Sequence, residues 1–137
     1  LGVVLINDYE KFVVADLPGL IVGASTGAGL GIQFLKHISR TKLLLNVVDI
    51  SANNIDEALQ DVDVIAKELK DYDEELGKKD KWYIFNKTDL LNEKELEILK
   101  KSVNNKIKKN IFFVSAKEKS GLDEVCENII EYLRDLQ

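Results

Sequence analysis

The chain has 137 residues, 45% hydrophobic and 31% charged. That length and apolar fraction suit one folded domain with a real core and exclude collagen-like repeats, disorder and a disulfide mini-protein. Its net charge of −5, from 19 basic and 24 acidic residues, argues against a phosphate-gripping nucleic-acid patch on this piece. The apolar runs fall far short of the roughly 18 residues a membrane span requires. The single cysteine, Cys126, cannot form an internal disulfide, and no charged-then-apolar leader opens the chain, so the expected compartment is the reducing cytoplasm. No methionine occurs anywhere, which leads to the expectation that the chain is a piece of a longer protein.

Short apolar strands alternate with amphipathic helices. Strands are predicted over 3–6 and 12–15, joined as a hairpin through Asn7-Asp8-Tyr9-Glu10. A glycine-rich stretch from Gly19 to Gly31 follows, then a short helix from Ile32 to about Arg40. Residues 43–48 read as a strand buried on both faces. Asn54 and Glu57 resemble a capping box, with Ile55, Leu59, Val62, Ala66 and Leu69 at helical spacing behind them. Gly77 is expected to close the segment after that helix.

The next strand is predicted over 82–85, the next helix over 93–103 with Leu96 and Leu99 inward, and the last strand over 111–114. A final helix carries the stripe Leu122, Val125, Cys126, Ile129, Ile130, Leu133 and Leu136, with Ser120 and Asp123 expected to cap it. Lysines crowd residues 78–109 but are interspersed with acids and read as a solvated face. Such alternation means an α/β fold, a mostly parallel sheet covered on both sides, with an antiparallel hairpin at its start. No repeat, low-complexity tract or linker divides the chain, so residues 1–137 are assigned to one domain or part of one.

In open α/β sheets, ligands bind beyond the carboxyl ends of the strands. Three predicted strands end in polar signatures: Asp16-Leu17-Pro18-Gly19, Asn86-Lys87-Thr88-Asp89 and Ser115-Ala116-Lys117. Each is weak alone, but the ordered set resembles the guanine-nucleotide motifs of Ras-like GTPases. The text around them, from Ala15 through Ile21, Gly23-Ala24-Ser25, Gly27-Ala28-Gly29-Leu30-Gly31, Phe34 to Ile38 with Arg40, and Val47-Val48-Asp49, is similar to the Obg family. Val22 departs from the glutamate that Obg members usually carry before the equivalent of Gly23.

The resemblance implies an incomplete P-loop NTPase-type three-layer sandwich, a partial G domain. Its first strand, phosphate loop and first helix are expected to be missing, because no G-x-x-x-x-G-K-S/T run occurs in the chain. It also implies roles. Asp89 would accept guanine's two adjacent donors, Asn86 would tie neighbouring loops together, and the Lys87 stem would cover the ring plane; Thr88 completes the box. Amides around Ser115 and Ala116 would donate to the guanine carbonyl, with Lys117 beside the base.

Asp16 would hold Mg²⁺ through a water, the Gly19 amide would face the terminal phosphate, and Leu17 and Pro18 lie between them. Gly23, Gly27, Gly29 and Gly31 would form the second switch. Leu20 stands where Ras has a water-orienting glutamine, so no catalytic side chain is assigned. His37 and Cys126 are read as structural and Asp49 as a loop-ordering carboxylate. The implied parent is a GTP- and GDP-binding, GTP-hydrolysing switch engaged in large-ribosomal-subunit assembly. A degenerate, non-hydrolysing G-domain interaction module and a different Ras-like GTPase subfamily are the alternative readings. With the phosphate side missing, the isolated chain is expected to fold poorly and bind nucleotide weakly.

Overall fold

The structure, a computed structural model, describes residues 2–5, 7, 9–14, 40–51, 55–72 and 74–136. The readings placed on Asp16, Leu17, Pro18, Gly19, Leu20, Val22, the Gly23–Gly31 switch, the helix from Ile32, His37 and the Asn54 cap lie outside those residues.

Strands β1 (Gly2–Leu5) and β2 (Lys11–Val14) form an antiparallel ladder, Gly2 opposite Val14 and Leu5 opposite Lys11. The turn between them is organised by Asn7, whose Oδ1 accepts from the Tyr9 and Glu10 amides at 2.8 and 2.9 Å. This is the local side-chain turn that favours asparagine at such positions. Strands β3 (Leu44–Asp49), β4 (Lys81–Asn86) and β5 (Ile111–Phe113) make a separate parallel sheet in the order β3-β4-β5. Helix α1 (Ile55–Tyr72) and the short α2 (Glu74–Lys78) connect β3 to β4, and α3 (Glu93–Lys106) connects β4 to β5. Helix α4 (Leu122–Asp135) follows β5.

Alternation along β4 divides the core. Trp82 and Ile84 face one side with Phe12 of β2, Val114 and the Val125, Ile129 and Ile130 stripe of α4. Phe85 faces the other side, fully buried with Leu59 of α1 and Leu99 and Val103 of α3. The outcome is helix on both faces of a parallel sheet, the arrangement the alternation predicted. The hairpin joins the α4 side through Phe12 and through the Glu10 carboxylate, which pairs with the Arg134 guanidinium in the last turn of α4. Cys126 is half-buried against the same cluster, its thiol pushed up by burial.

Two local expectations need correcting. Ser120 does not cap the last helix: the N-cap is Gly121, in a left-handed conformation with φ 78°. Ser120 is instead bridged to Ser115 through paired backbone hydrogen bonds of 3.0 Å, so the chain must reverse sharply before the helix begins. Glycine is required there, since a Cβ at Gly121 would lie 2.8 Å from the Phe113 carbonyl oxygen. Gly77 sits inside α2 rather than after it, where a Cβ would come within 2.9 Å of the Lys70 backbone on α1. Close approach of the two helices, not helix termination, sets that glycine.

Candidate nucleotide-binding site

Parallel register brings the carboxyl ends of the three strands together. Asp49 closes β3 opposite Asn86, which closes β4, and Phe85 stands opposite Phe113 at the end of β5. Past these residues the chain leaves each strand and turns, and the polar side chains of the turns face one another.

Asn86 bridges two of the loops. Its Oδ1 accepts from the Ala116 amide at 3.0 Å. Around it the Val114 amide donates to Phe85 O at 2.8 Å and the Thr88 amide to Val114 O at 3.2 Å, extending the β4–β5 ladder past the end of the sheet. Lys87 turns the chain with left-handed angles, and residues 88–90 then form one turn of 3₁₀ helix that carries Asp89.

Asp89 is solvent-exposed, and its Oδ1 accepts from the Ser115 hydroxyl at 2.7 Å. Ser115, only 2% exposed, is itself held: its Oγ accepts from the Glu118 amide at 3.1 Å. A carboxylate oxygen has more than one lone-pair site, so Asp89 keeps acceptor capacity on both oxygens after taking this bond. Lys117 lies exposed in the tight turn between Ser115 and Ser120.

On the other flank, Lys87 Nζ lies 2.7 Å from Asp49 Oδ2, and Asp49 Oδ1 accepts from the Ser51 amide at 2.9 Å and the Ser51 hydroxyl at 2.6 Å. Lys87, and after it the two Ser51 donors, hold the Asp49 carboxyl well below its ordinary range, at about 2. Asp49 thus orders both the turn after β3 and the lysine after β4.

Of the residues singled out from sequence, the structure gathers Asn86, Lys87, Thr88, Asp89, Ser115 and Ala116 around one sheet edge. Asp16, Leu17, Pro18 and Gly19 lie outside the described residues. The amides expected to meet a guanine carbonyl already have internal acceptors: Ser115 N–H donates to Ser120 O and Ala116 N–H to Asn86 Oδ1. Ser51 was missed, although a serine two residues after an aspartate is a recurrent turn signature. Ser120 was assigned to the wrong task. Among the described residues no group of three or more His, Cys, Asp or Glu side chains is arranged to hold a metal ion, so Asp16 alone carries the Mg²⁺ expectation.

Comparison with known proteins gives the family. Residues 2–87 match the family described as 50S ribosome-binding GTPase. The chain is 43% identical over 137 residues to a GTPase Obg of Buchnera aphidicola subsp. Baizongia pistaciae (strain Bp), covering 98% of this chain and 40% of that protein. It is 43% identical over 136 residues to the GTPase Obg of Buchnera aphidicola subsp. Acyrthosiphon pisum (strain Tuc7), covering 98% of this chain and 41% of that one. The chain therefore spans about two-fifths of the length of these curated relatives. With well over half its length matched and its polar boxes gathered at the strand ends, the chain belongs to the 50S ribosome-binding GTPase family, as an Obg-type G-domain sequence.

Proposed function

We propose that the protein carrying this chain is a GTP-binding and GTP-hydrolysing switch of the Obg type, and that residues 1–137 supply its base-recognition half and its second switch. The observation that carries this reading is the meeting of Asp89, Asn86, Ser115 and Ala116 at the ends of β4 and β5. Guanine presents a ring N–H and an exocyclic amine side by side, and the two oxygens of Asp89 accept both. Adenine lacks that donor pair and would leave the carboxylate unmatched, a mismatch that supports large discrimination.

The Lys87 stem covers the ring plane, and Lys117 lies beside the base. The guanine carbonyl takes its hydrogen bond from the 116–117 turn, the Ala116 N–H being shared with Asn86 Oδ1 in a three-centre bond. On the phosphate side, Asp16 would hold Mg²⁺ through a water, and the Gly19 amide, after Leu17 and Pro18, would meet the terminal phosphate. Bound Mg²⁺ would neutralise phosphate charge there. Leu20 cannot orient water, so turnover relies on other groups. The large ribosomal subunit is the proposed partner, supported by the family's description, and the cytoplasm the proposed location. Among the described residues no helix is long and apolar enough to cross a membrane.

The test is Asp89→Asn in the full-length protein. GTP affinity should fall and xanthosine triphosphate should bind in its place, because the second carbonyl of xanthine accepts from the new amide. Unchanged GTP affinity in a titration removes Asp89 as the base reader. Phosphate release by the unaltered protein separates a hydrolysing switch from a non-hydrolysing module.

A further inference from the structure

Lys87 combines two features that call for a physical reason. Its backbone is left-handed, φ 76° and ψ 33°, a conformation uncommon for a residue with a long side chain. Its ammonium is nonetheless fixed, 2.7 Å from Asp49 on the neighbouring strand end. Asp49 is fixed in turn, because its other oxygen takes both Ser51 donors. The register Asp49 opposite Asn86, and the Ile50 amide donating to Asn86 O at 3.3 Å, lock the backbones that carry the pair. The lysine is therefore held at both ends: by the strand end at its Cα and by the Ser51–Asp49 unit at its ammonium.

Lysine carries one of the largest rotamer entropies of any side chain. A ligand that uses the stem of a free lysine must first immobilise it, and holding it beforehand removes that cost from binding. We propose that Asp49, oriented by Ser51, is a positioning residue for guanine-nucleotide binding: it fixes Lys87 so that the stem lies ready across the base. The proposal rests on the base-reading function above and adds residues to it that no strand-end box contains.

The experiment is a double-mutant cycle in the full-length protein, with GDP as the probe and binding read by calorimetry and by dissociation kinetics. Asp49→Asn keeps the shape and removes the charge. It should weaken GDP about two- to fivefold, the range for an exposed charge pair, and mainly by faster dissociation. Ser51→Ala should act in the same direction by a smaller factor. In a Lys87→Ala background both effects should vanish. Equal losses with and without Lys87 would mean that Asp49 supports only the fold and would overturn the proposal, as would unchanged or tighter GDP binding by Asp49→Asn. Asp89→Asn in the same assay separates the two ideas. If it exchanges guanine for xanthine nucleotide while the Asp49 effect ignores Lys87, only the positioning role falls. If it leaves GDP affinity intact, the base-reading function falls and the positioning role with it.

Discussion

The Ser115 hydroxyl donates to the Asp89 carboxylate at 2.7 Å, joining side chains 26 positions apart in the sequence. The donor is buried and the acceptor exposed, so the bond reaches from the packed interior to the rim and aims the carboxylate from below. The serine is kept in place by the Glu118 amide on its oxygen and by backbone pairing with Ser120. Only the hydroxyl proton is left to orient, and it points at Asp89.

Ser115→Ala removes that aim, together with the acceptor that the Ser115 oxygen offers the Glu118 amide. A hydrogen bond to a charged group is worth about 1.5–3 kcal/mol, and the exposure of Asp89 selects the lower end. GDP affinity of the full-length protein should therefore fall by up to about tenfold, and thermal stability should fall with it, because the Glu118 amide loses its acceptor as well. Calorimetric titration checks this. Equal affinity for the variant and the parent would mean that Asp89 aims itself.

Gly121 stands where the turn from Ser120 enters α4. Its φ of 78° and the 2.8 Å approach of a hypothetical Cβ to the Phe113 carbonyl exclude any side chain without adjustment. Gly121→Ala should destabilise the fold by ~1–3 kcal/mol, the cost of one strained backbone position. The damage should spread to the site, because the same turn carries Ser115. Denaturant unfolding reads the first effect and GDP titration the second; an alanine variant with parental stability would show that the turn can relax.

The expected strand-helix order is present along the described chain, because a parallel sheet covered by helices writes itself as short apolar runs such as Trp82 to Phe85 between helical stripes. The expected burial of residues 43–48 on both faces is corrected by β3, none of whose residues is fully buried and whose Val47 is 61% exposed. The Asn86–Asp89 and Ser115–Ala116 boxes were legible for a related reason: each follows such a run directly, and parallel register then forces the boxes together. Contacts made by generic residues were not legible. Ser120 has the composition of a helix cap, yet its backbone closes a turn, and Gly121 takes the cap because a left-handed residue is needed. Gly77 looks like a terminator and serves as a contact point. Pairing of Lys87 with Asp49 depends on the β3–β4 register, which no local pattern encodes.

Asn92 forms a reciprocal cap on α3. Its Oδ1 accepts from the Glu95 amide at 2.8 Å, and Glu95 Oε1 accepts from the Asn92 amide at 3.2 Å. Asn92→Ala leaves the Glu95 amide to water while the amide of residue 92 keeps Glu95 Oε1 as its acceptor, and should cost about 1 kcal/mol. The helix begins four residues after Asp89 and packs Leu99 and Val103 on the sheet face away from α4. The loss should therefore appear in stability and leave nucleotide selectivity intact. Denaturant midpoints for Asn92→Ala and Asn92→Asp decide it: aspartate should keep the cap, and equal losses for both would assign the effect to something other than capping.

Tyr132 provides a test at alkaline pH. Its ring packs edge-on against Trp82 with centroids 5.5 Å apart, and its hydroxyl donates to Asp80 Oδ2 at 2.7 Å. Burial first, and then the Asp80 carboxylate that the phenolate would confront, push its pKa from 10.0 up to about 12. In the unfolded chain the phenol titrates near its ordinary value of about 10. Between these values the folded protein holds a proton that the unfolded chain has released, so stability declines as pH rises. The contribution is complete below about pH 10 and is lost as pH climbs through the folded value of about 12. Tyr132→Phe should abolish this part of the alkaline decline while costing about 1 kcal/mol or less near neutrality, the net worth of one ordinary hydrogen bond. Carbon-13 labelling of the tyrosine Cζ atoms in the full-length protein gives the midpoint directly. A Tyr132 resonance titrating near that of a free tyrosine, or identical alkaline slopes for the parent and the phenylalanine variant, would remove the Asp80 contact as its cause.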